Sequence, residues 1–576
     1  MPVAVRVRAI VCVVLIAVFL AGCNAMSCSQ RPSETRIAEK PVEESQTNIN
    51  DLLRKDRDLE TCKTVVHQLN SPATSGRMNV AELSDEERTI LEKEFAFTAD
   101  EMREITGKDW TPLDANYLFQ CLLLHDGLRT LGLTMSDEPA ARMERLRDGF
   151  AWAMRQVWLS GQDGRPLPAV FVLKRGYGGD PERAAVAMAV FHQLGFEPCL
   201  IGREQAEGIR MWAVGVAVDS DILLFDPHRG KPISGPDGKI ATLKQVRANP
   251  ELVKDLEIRE KIEPAVFVKE SKVYLAPSLS ALSLRAKALE EMLTLQPPVR
   301  LATSASQTRK RYAQLGESAI FWNPKNETGT LVRSLAHFLP TDEGGFDRTP
   351  RGSCQYDIYR NRLAPRALMP PIFAEDSIAG EPGRLLRTAF TGRFVALFDL
   401  PNHPRDLLLR GQLDEATQGL VENLRQINVN QERVNQEARL EADAQEWVQK
   451  MRSASARLER AQIRPGEVDV AEAKAQVDNL FKNSSKVNLY LEKAVAHPFG
   501  THVTFQLALC KHEQAWRQAK QFGNSAATTE AWETAAGWWR NFLNNYDNVT
   551  FLPKGIVEHA RNLLAEAAAG AGKSKP

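Results

Sequence analysis

Arg175-Gly176-Tyr177-Gly178-Gly179-Asp180-Pro181-Glu182-Arg183 runs directly into an apolar stretch from Ala184 to Leu194 that stops at Gly195. The glycines make a flexible turn. Asp180-Pro181-Glu182 then carries the marks of a helix start: an acid as N-cap, proline at the first helical position, and a further acid in the first turn. The alanine, valine and methionine content through Leu194 predicts a buried helix, and Gly195 predicts its end. Pro198 to Ile201 and Trp212 to Val218 read as strands, and Ile222-Leu223-Leu224-Phe225 reads as a third, closing on Asp226-Pro227. Upstream, Ala169-Val170-Phe171-Val172-Leu173 reads as a short apolar strand. Before it, Met143 to Leu159, with Leu146, Phe150, Trp152, Met154, Val157 and Trp158, reads as an amphipathic packing helix. Strands and helices in this order predict an α+β domain.

The order resembles the transglutaminase-like domains, relatives of the papain-type cysteine hydrolases. The likeness spans roughly residues 140 to 235 and is carried by Leu194-Gly195-Phe196 at the helix end, by Trp212, by Asp226-Pro227, and by the leading helix with Trp152 and Trp158. It implies a thiolate at the head of the buried helix, a histidine that takes its proton, and an acid that orients the histidine. A helix N-terminus suits that thiolate because it lowers the thiol pKa. Counting back from Leu194-Gly195 puts the family's cysteine on Asp180. Counting back two from Trp212 puts its histidine on Arg210, or on Met211 if the strand is shifted by one. Only Asp226 keeps its family role. Aspartate at Asp180 satisfies the same helix dipole but cannot form or release a thioester, so the resemblance implies a degenerate triad of Asp180, Arg210 and Asp226 and a non-catalytic domain.

Other chemistry in this stretch has plainer readings. Cys199, at the start of a strand behind the helix, reads as a small core residue, and His192 near the helix C-terminus as an exposed dipole contact. His228 follows Asp226 in a loop, so a pair of Cys199 with His228 stays conceivable, as does acid and base work by Asp180 with Asp226. Ile378-Ala379-Gly380-Glu381-Pro382-Gly383 has neither the GxGxxG nor the GK[ST] spacing, so no cofactor is expected. Cys28, Cys62, Cys121, Cys199, Cys354 and Cys510 are scattered without a CxxC, which is no metal pattern and no dense disulfide framework. Lys plus Arg and Asp plus Glu are equal at 73 each, and no basic stripe invites nucleic acid.

At the N-terminus Arg6 and Arg8 precede an apolar run from Ala9 to Leu20 that ends in Leu20-Ala21-Gly22-Cys23. The run is too short to span a hydrocarbon core of ~30 Å and reads as a signal peptide. The tetrapeptide resembles the lipobox of bacterial lipoproteins, which implies export, cleavage after residue 22, and a membrane anchor of lipid on Cys23. Asn24 in place of aspartate implies the outer membrane over the inner one where a cell has two. Residues 23–50, rich in Ser, Glu, Thr, Gln and Pro, predict a flexible tether. Residues 51–139 predict packing helices, among them Leu83 to Phe97 and Asp114 to Leu131.

Residues 140–240 are the transglutaminase-like segment, and 241–405 are mixed, with a strand-like Ala265-Val266-Phe267-Val268 and a helix around Ser280 to Thr294. In 406–464, Leu413, Leu420, Leu424, Ile427 and Val434, then Leu440, Ala444, Trp447, Met451, Ala454 and Leu458, follow a heptad-like spacing. That predicts a long helix, either the edge of a bundle within the chain or an intermolecular coil. Residues 465–576 predict helices at Val468 to Phe481, Phe505 to Phe522, Thr528 to Asn545 and Lys554 to Ala568, similar to helical-hairpin repeats of the tetratricopeptide kind around Trp538-Trp539. The expectation is therefore a lipid-anchored envelope protein that binds or assembles a protein or peptide partner. The alternative is a cysteine or carboxylate hydrolase or acyltransferase acting on peptide or isopeptide bonds.

Overall fold

Strands from two separated stretches of chain meet in one sheet. The computed structural model describes residues 49–71, 82–160, 168–205, 208–255, 263–322, 404–436, 469–482, 484–546 and 554–572, with scattered helical residues between 446 and 461. The leader with Cys23, most of the tether, the stretch Ile378 to Gly383, Cys28, Cys354 and most of the second half of the heptad seam lie outside the described residues.

Among the described residues six helices come first: α1 Ile49–Lys55, α2 Leu59–Leu69, α3 Asp85–Thr89 (running into a π-helical turn at Ile90–Glu94), α4 Ala99–Thr106, α5 Pro112–Arg129 and α6 Pro139–Gln156. A two-residue strand β1 Trp158–Leu159 pairs in parallel with β2 Tyr177–Gly178, and α7 Ala169–Arg175 lies between them. Helix α8 Asp180–Gln193 follows, then β3 Glu197–Gln205, β4 Gly208–Val218, β5 Asp221–Asp226 and β6 Lys231–Pro232. After α9 Leu243–Ala248 and α10 Pro264–Lys269 come β7 Lys272–Leu275, α11 Leu279–Leu282, α12 Leu284–Met292, α13 Ala305–Gln314 and β8 Ile320–Phe321. The sheet runs β6-β5-β4-β3-β7-β8, antiparallel except for the last pair.

This sheet is covered on both faces, which is why β5 reads as an unbroken apolar run. Leu200, Val214, Val216, Leu223 and Phe225 share one core with Val190 and Phe191 of α8 and Phe150 of α6. Cys199, Ile201, Ala213, Ala217, Ile222 and Leu224 share the other with Phe267 of α10 and Tyr312 of α13. Between β3 and β4, Ile201 pairs with Ala213 while Gly202 pairs with Met211. The extra residue, Trp212, therefore sits in a bulge that puts it in the same core as Ala213. Its Nε1 donates to Ser271 Oγ at 2.9 Å.

Three local expectations are corrected. Ala169 to Leu173 forms the helix α7, not a strand, with Pro168 at its N-cap and all five residues buried. Ala265 to Val268 likewise lies in α10, with Pro264 in its first turn. A short unbroken apolar run has no periodicity to separate strand from helix, whether buried throughout as in α7 or exposed at Ala265 and Val266 as in α10, and the preceding prolines were the better signal. The tether ends before Ile49: Asn50 Nδ2 donates to Met292 O at 3.1 Å and its Oδ1 accepts from Thr294 N at 2.8 Å, anchoring α1 in the core.

The remaining helices are α14 Pro404–Arg410, α15 Leu413–Gln436, α16 Val470–Lys482, α17 Ser484–Phe522, α18 Ala526–Tyr546 and α19 Lys554–Gly570. Helix α17 begins 21 residues earlier than the sequence reading placed it and runs through Pro498. Helix α15 packs on α17, and Leu413, Leu420 and Ile427 of the seam are buried in one core with Phe499 and Val503. That part of the seam is filled from within the chain. Residues from Ile49 onward form one unit. Arg405 of α14, 1% exposed, donates to Leu173 O from Nε (2.9 Å) and to Gln156 O from Nη2 (2.7 Å). Arg155 of α6 meets Glu513 of α17 across the same boundary, Nε to Oε1 2.8 Å, with both side chains buried.

Candidate functional site

The head of α8 is fixed by its own turn. Gly179 is the N-cap and Asp180 the first helical residue, so the helix begins one position earlier than expected. The capping acid is Glu182, whose carboxylate accepts the Gly179 N–H at 3.1 Å and is clasped by the buried Arg175 guanidinium. Arg175 Nε donates to Tyr177 O at 2.8 Å, so the glycine-rich turn is closed around an ion pair.

Asp180 is thereby turned outward to meet the loop after β5. His228 Nδ1 lies 2.9 Å from Asp180 Oδ1 and 3.1 Å from Oδ2. Asp226 holds that loop, its Oδ1 accepting from His228 N at 2.8 Å and Arg229 N at 3.2 Å. Gly230, at φ 68°, completes the turn with a bond from its N–H to Asp226 O. One turn further along α8, Arg183 Nη1 donates to His228 O at 2.7 Å. The side chain of His228 is 38% exposed, so its ring reaches solvent.

Asp180 and Arg210 line one cavity of about 190 Å³, whose walls include Met188, Leu200, Met211 and Trp322. Asp226 and His228 instead line a neighbouring cleft of about 950 Å³. Asp180, Arg210 and Asp226, the three positions singled out in the sequence, are thus divided between two hollows, and His228 links Asp180 to the loop that Asp226 holds. Cys199 is brought to neither. It faces the opposite side of the sheet from α8, and burial pushes its thiol up to about 12, so the Cys199 and His228 pair does not form. His192 is not the exposed contact expected. It is partly buried, its Nε2 lies 3.2 Å from Ala302 O and 2.9 Å from Thr303 Oγ1, and burial lowers its pKa.

Sequence reasoning missed the opposite wall of the smaller cavity. Tyr117, Cys121 and Leu124 line it from α5, a stripe at four and three spacing that was legible as a buried face without any hint of a hollow beside it. The Cys121 thiol is pushed up to about 12 by burial. It also missed His559 of α19, which lines the larger cleft from 331 positions beyond His228 and carries no local signal. Among the described residues no group of His, Cys, Asp and Glu is placed to hold a metal ion. Chemically, a carboxylate that orients a partly exposed imidazole can hold a proton acceptor toward water or a ligand, and none of the described cysteines lines the cleft with it. No protein-family model, curated protein or solved structure matches the chain.

Proposed function

We propose that the chain is a lipid-anchored protein of the cell envelope, tethered through Cys23 with the outer membrane preferred, that binds a protein or peptide partner without turning it over. In this reading its sheet and buried helix are a degenerate transglutaminase-like domain, and its C-terminal helices are a tetratricopeptide-like support. The observation that carries it lies at the head of α8. The residue there is Asp180, already engaged by His228, while the described cysteines are buried and none lines the cleft with His228. The adjoining hollow is walled mainly by apolar side chains with Asp180 and Arg210 among them, a composition suited to an apolar side chain beside a polar backbone.

The test is to assay the full chain for amine incorporation and peptide hydrolysis, with and without iodoacetamide, beside Asp180→Cys combined with Arg210→His. The expected result is no turnover by the unmodified chain. Turnover abolished by iodoacetamide would overturn the binding reading. A second reading, a hydrolase using His228 as general base, is favoured by the Asp180 to His228 contact alone; turnover that survives alkylation and disappears in His228→Ala would establish it. The anchor is tested separately, because Cys23→Ala should leave the membrane fraction or remain uncleaved, and unchanged processing and retention would refute lipidation.

A further inference from the structure

Arg183 is the least satisfied charged group near the site. It is 3% exposed, and of its five donors Nη1 alone has a hydrogen-bond acceptor in the protein, the His228 carbonyl, while Nε is buried with no partner. Buried guanidinium groups are normally met by several acceptors, since a donor left unmet away from water is costly. Asp180 and Asp226 attract it through space. Their carboxylates, however, accept from His228 and from the backbone of residues 228 and 229.

Arg183 forms part of the wall of the 950 Å³ cleft between the β5–β6 loop and α19. Trp212, Ile233 and Leu252 give that cleft an apolar side. Its charged lining is balanced: Arg183, Arg229 and Lys231 against Asp226, Asp255 and Glu558. The N-terminal turn of α19 reaches it through Gly555, adding the positive end of a 17-residue helix. A doubly charged phosphate would be repelled by the three carboxylates, whereas a singly charged group can take the guanidinium and leave the rest of the ligand along the apolar wall.

We propose that this cleft binds a ligand bearing one carboxylate, such as the C terminus of a short peptide, with Arg183 as the anion's partner and Lys231 at the mouth. The site is separate from the smaller cavity, and the proposal stands whether or not the chain is catalytic. The probe is acetyl-trialanine, titrated calorimetrically into the full chain beside its C-terminal amide and beside inorganic phosphate. The acid should bind at least about tenfold more tightly than the amide, as loss of a charge-assisted pair implies. Arg183→Gln should erase that preference. Lys231→Glu, an exposed change that spares the core, should weaken the acid and leave the amide unaffected, which keeps the test valid if the Arg183 variant does not fold. Equal affinities for acid and amide, absence of binding by both, or binding of phosphate alone would overturn the proposal.

Discussion

His559 makes a case in which one side chain sets a pH limit. Its ring is held against Arg155 O, with Nε2 at 3.1 Å, and burial first, then the nearby Arg183 charge, lowers its pKa to about 3. The folded chain keeps this imidazole neutral, while the unfolded chain protonates it near 6.5. Its contribution is therefore complete above about pH 6.5 and is lost as pH falls toward 3, by up to about 1.4 kcal/mol per pH unit. Urea midpoints measured from pH 7 to pH 4 should fall, and His559→Gln should flatten that decline; an unchanged slope in the variant would assign it to other groups. Glu566 acts in a lower window. Burial raises its pKa, but His512 and Arg155 outweigh that and hold it at about 2, so its contribution fades below about pH 4.5. The Arg155–Glu513 pair predicts a larger effect. Glu513→Ala leaves a buried guanidinium without its carboxylate and should cost about 3–5 kcal/mol in thermal or urea unfolding. At this scale the sequence told half of the site. Asp180 was visible from cap chemistry and Asp226 from the strand-closing Asp-Pro pair and the resemblance, but His228 stood in a loop whose path only the Asp226 turn determines, and Arg183 read only as part of a helix start.

At the scale of elements, two glycines in the C-terminal helices should respond in opposite directions. A Cβ on Gly555 of α19 would stand 1.8 Å from Leu159 O, so this helix touches β1 through bare backbone. Gly555→Ala must push α19 away from β1 and should cost about 1–3 kcal/mol. Gly537 of α18 meets nothing within 4 Å, and there alanine should stabilise by about 0.5–1 kcal/mol through helix propensity. Thermal melting of the two variants side by side checks both signs. The elements that were legible beforehand are those with a strong internal pattern. Helix α8 had its cap, its proline and its terminal Gly195, and β4 and β5 had their apolar runs bounded by turns. Helix α7 was misread because five apolar residues in a row carry no period. Helix α17 was read short, because Pro498 stands inside a helix that continues on both sides of it.

At the scale of the molecule, the sequence suggested a string of modules, whereas residues from Ile49 onward form one unit. Its two halves share one apolar core and are joined by single ties across great sequence distance: Arg155 to Glu513, His559 to Arg155, and Arg405 to Leu173 and Gln156. Nothing in a local window announces such ties, which is why they were not foreseen. A chain cut after Gln436 should therefore fail to melt cooperatively and should be cleaved rapidly by protease; a sharp transition close to that of the full chain would mean that the sheet-bearing part is autonomous. The position of Glu513 also bears on how the protein comes into being. A chain that emerges N terminus first, from a ribosome or through a pore, presents Arg155 while its carboxylate is still 358 residues away. At ~5–20 residues per second that gap lasts on the order of tens of seconds. Over that interval α6 can pack on α8 and β1 on β2, but Arg155 and the part of β1 that α19 covers lack their partners, so shielding the nascent chain should raise the yield of folded protein.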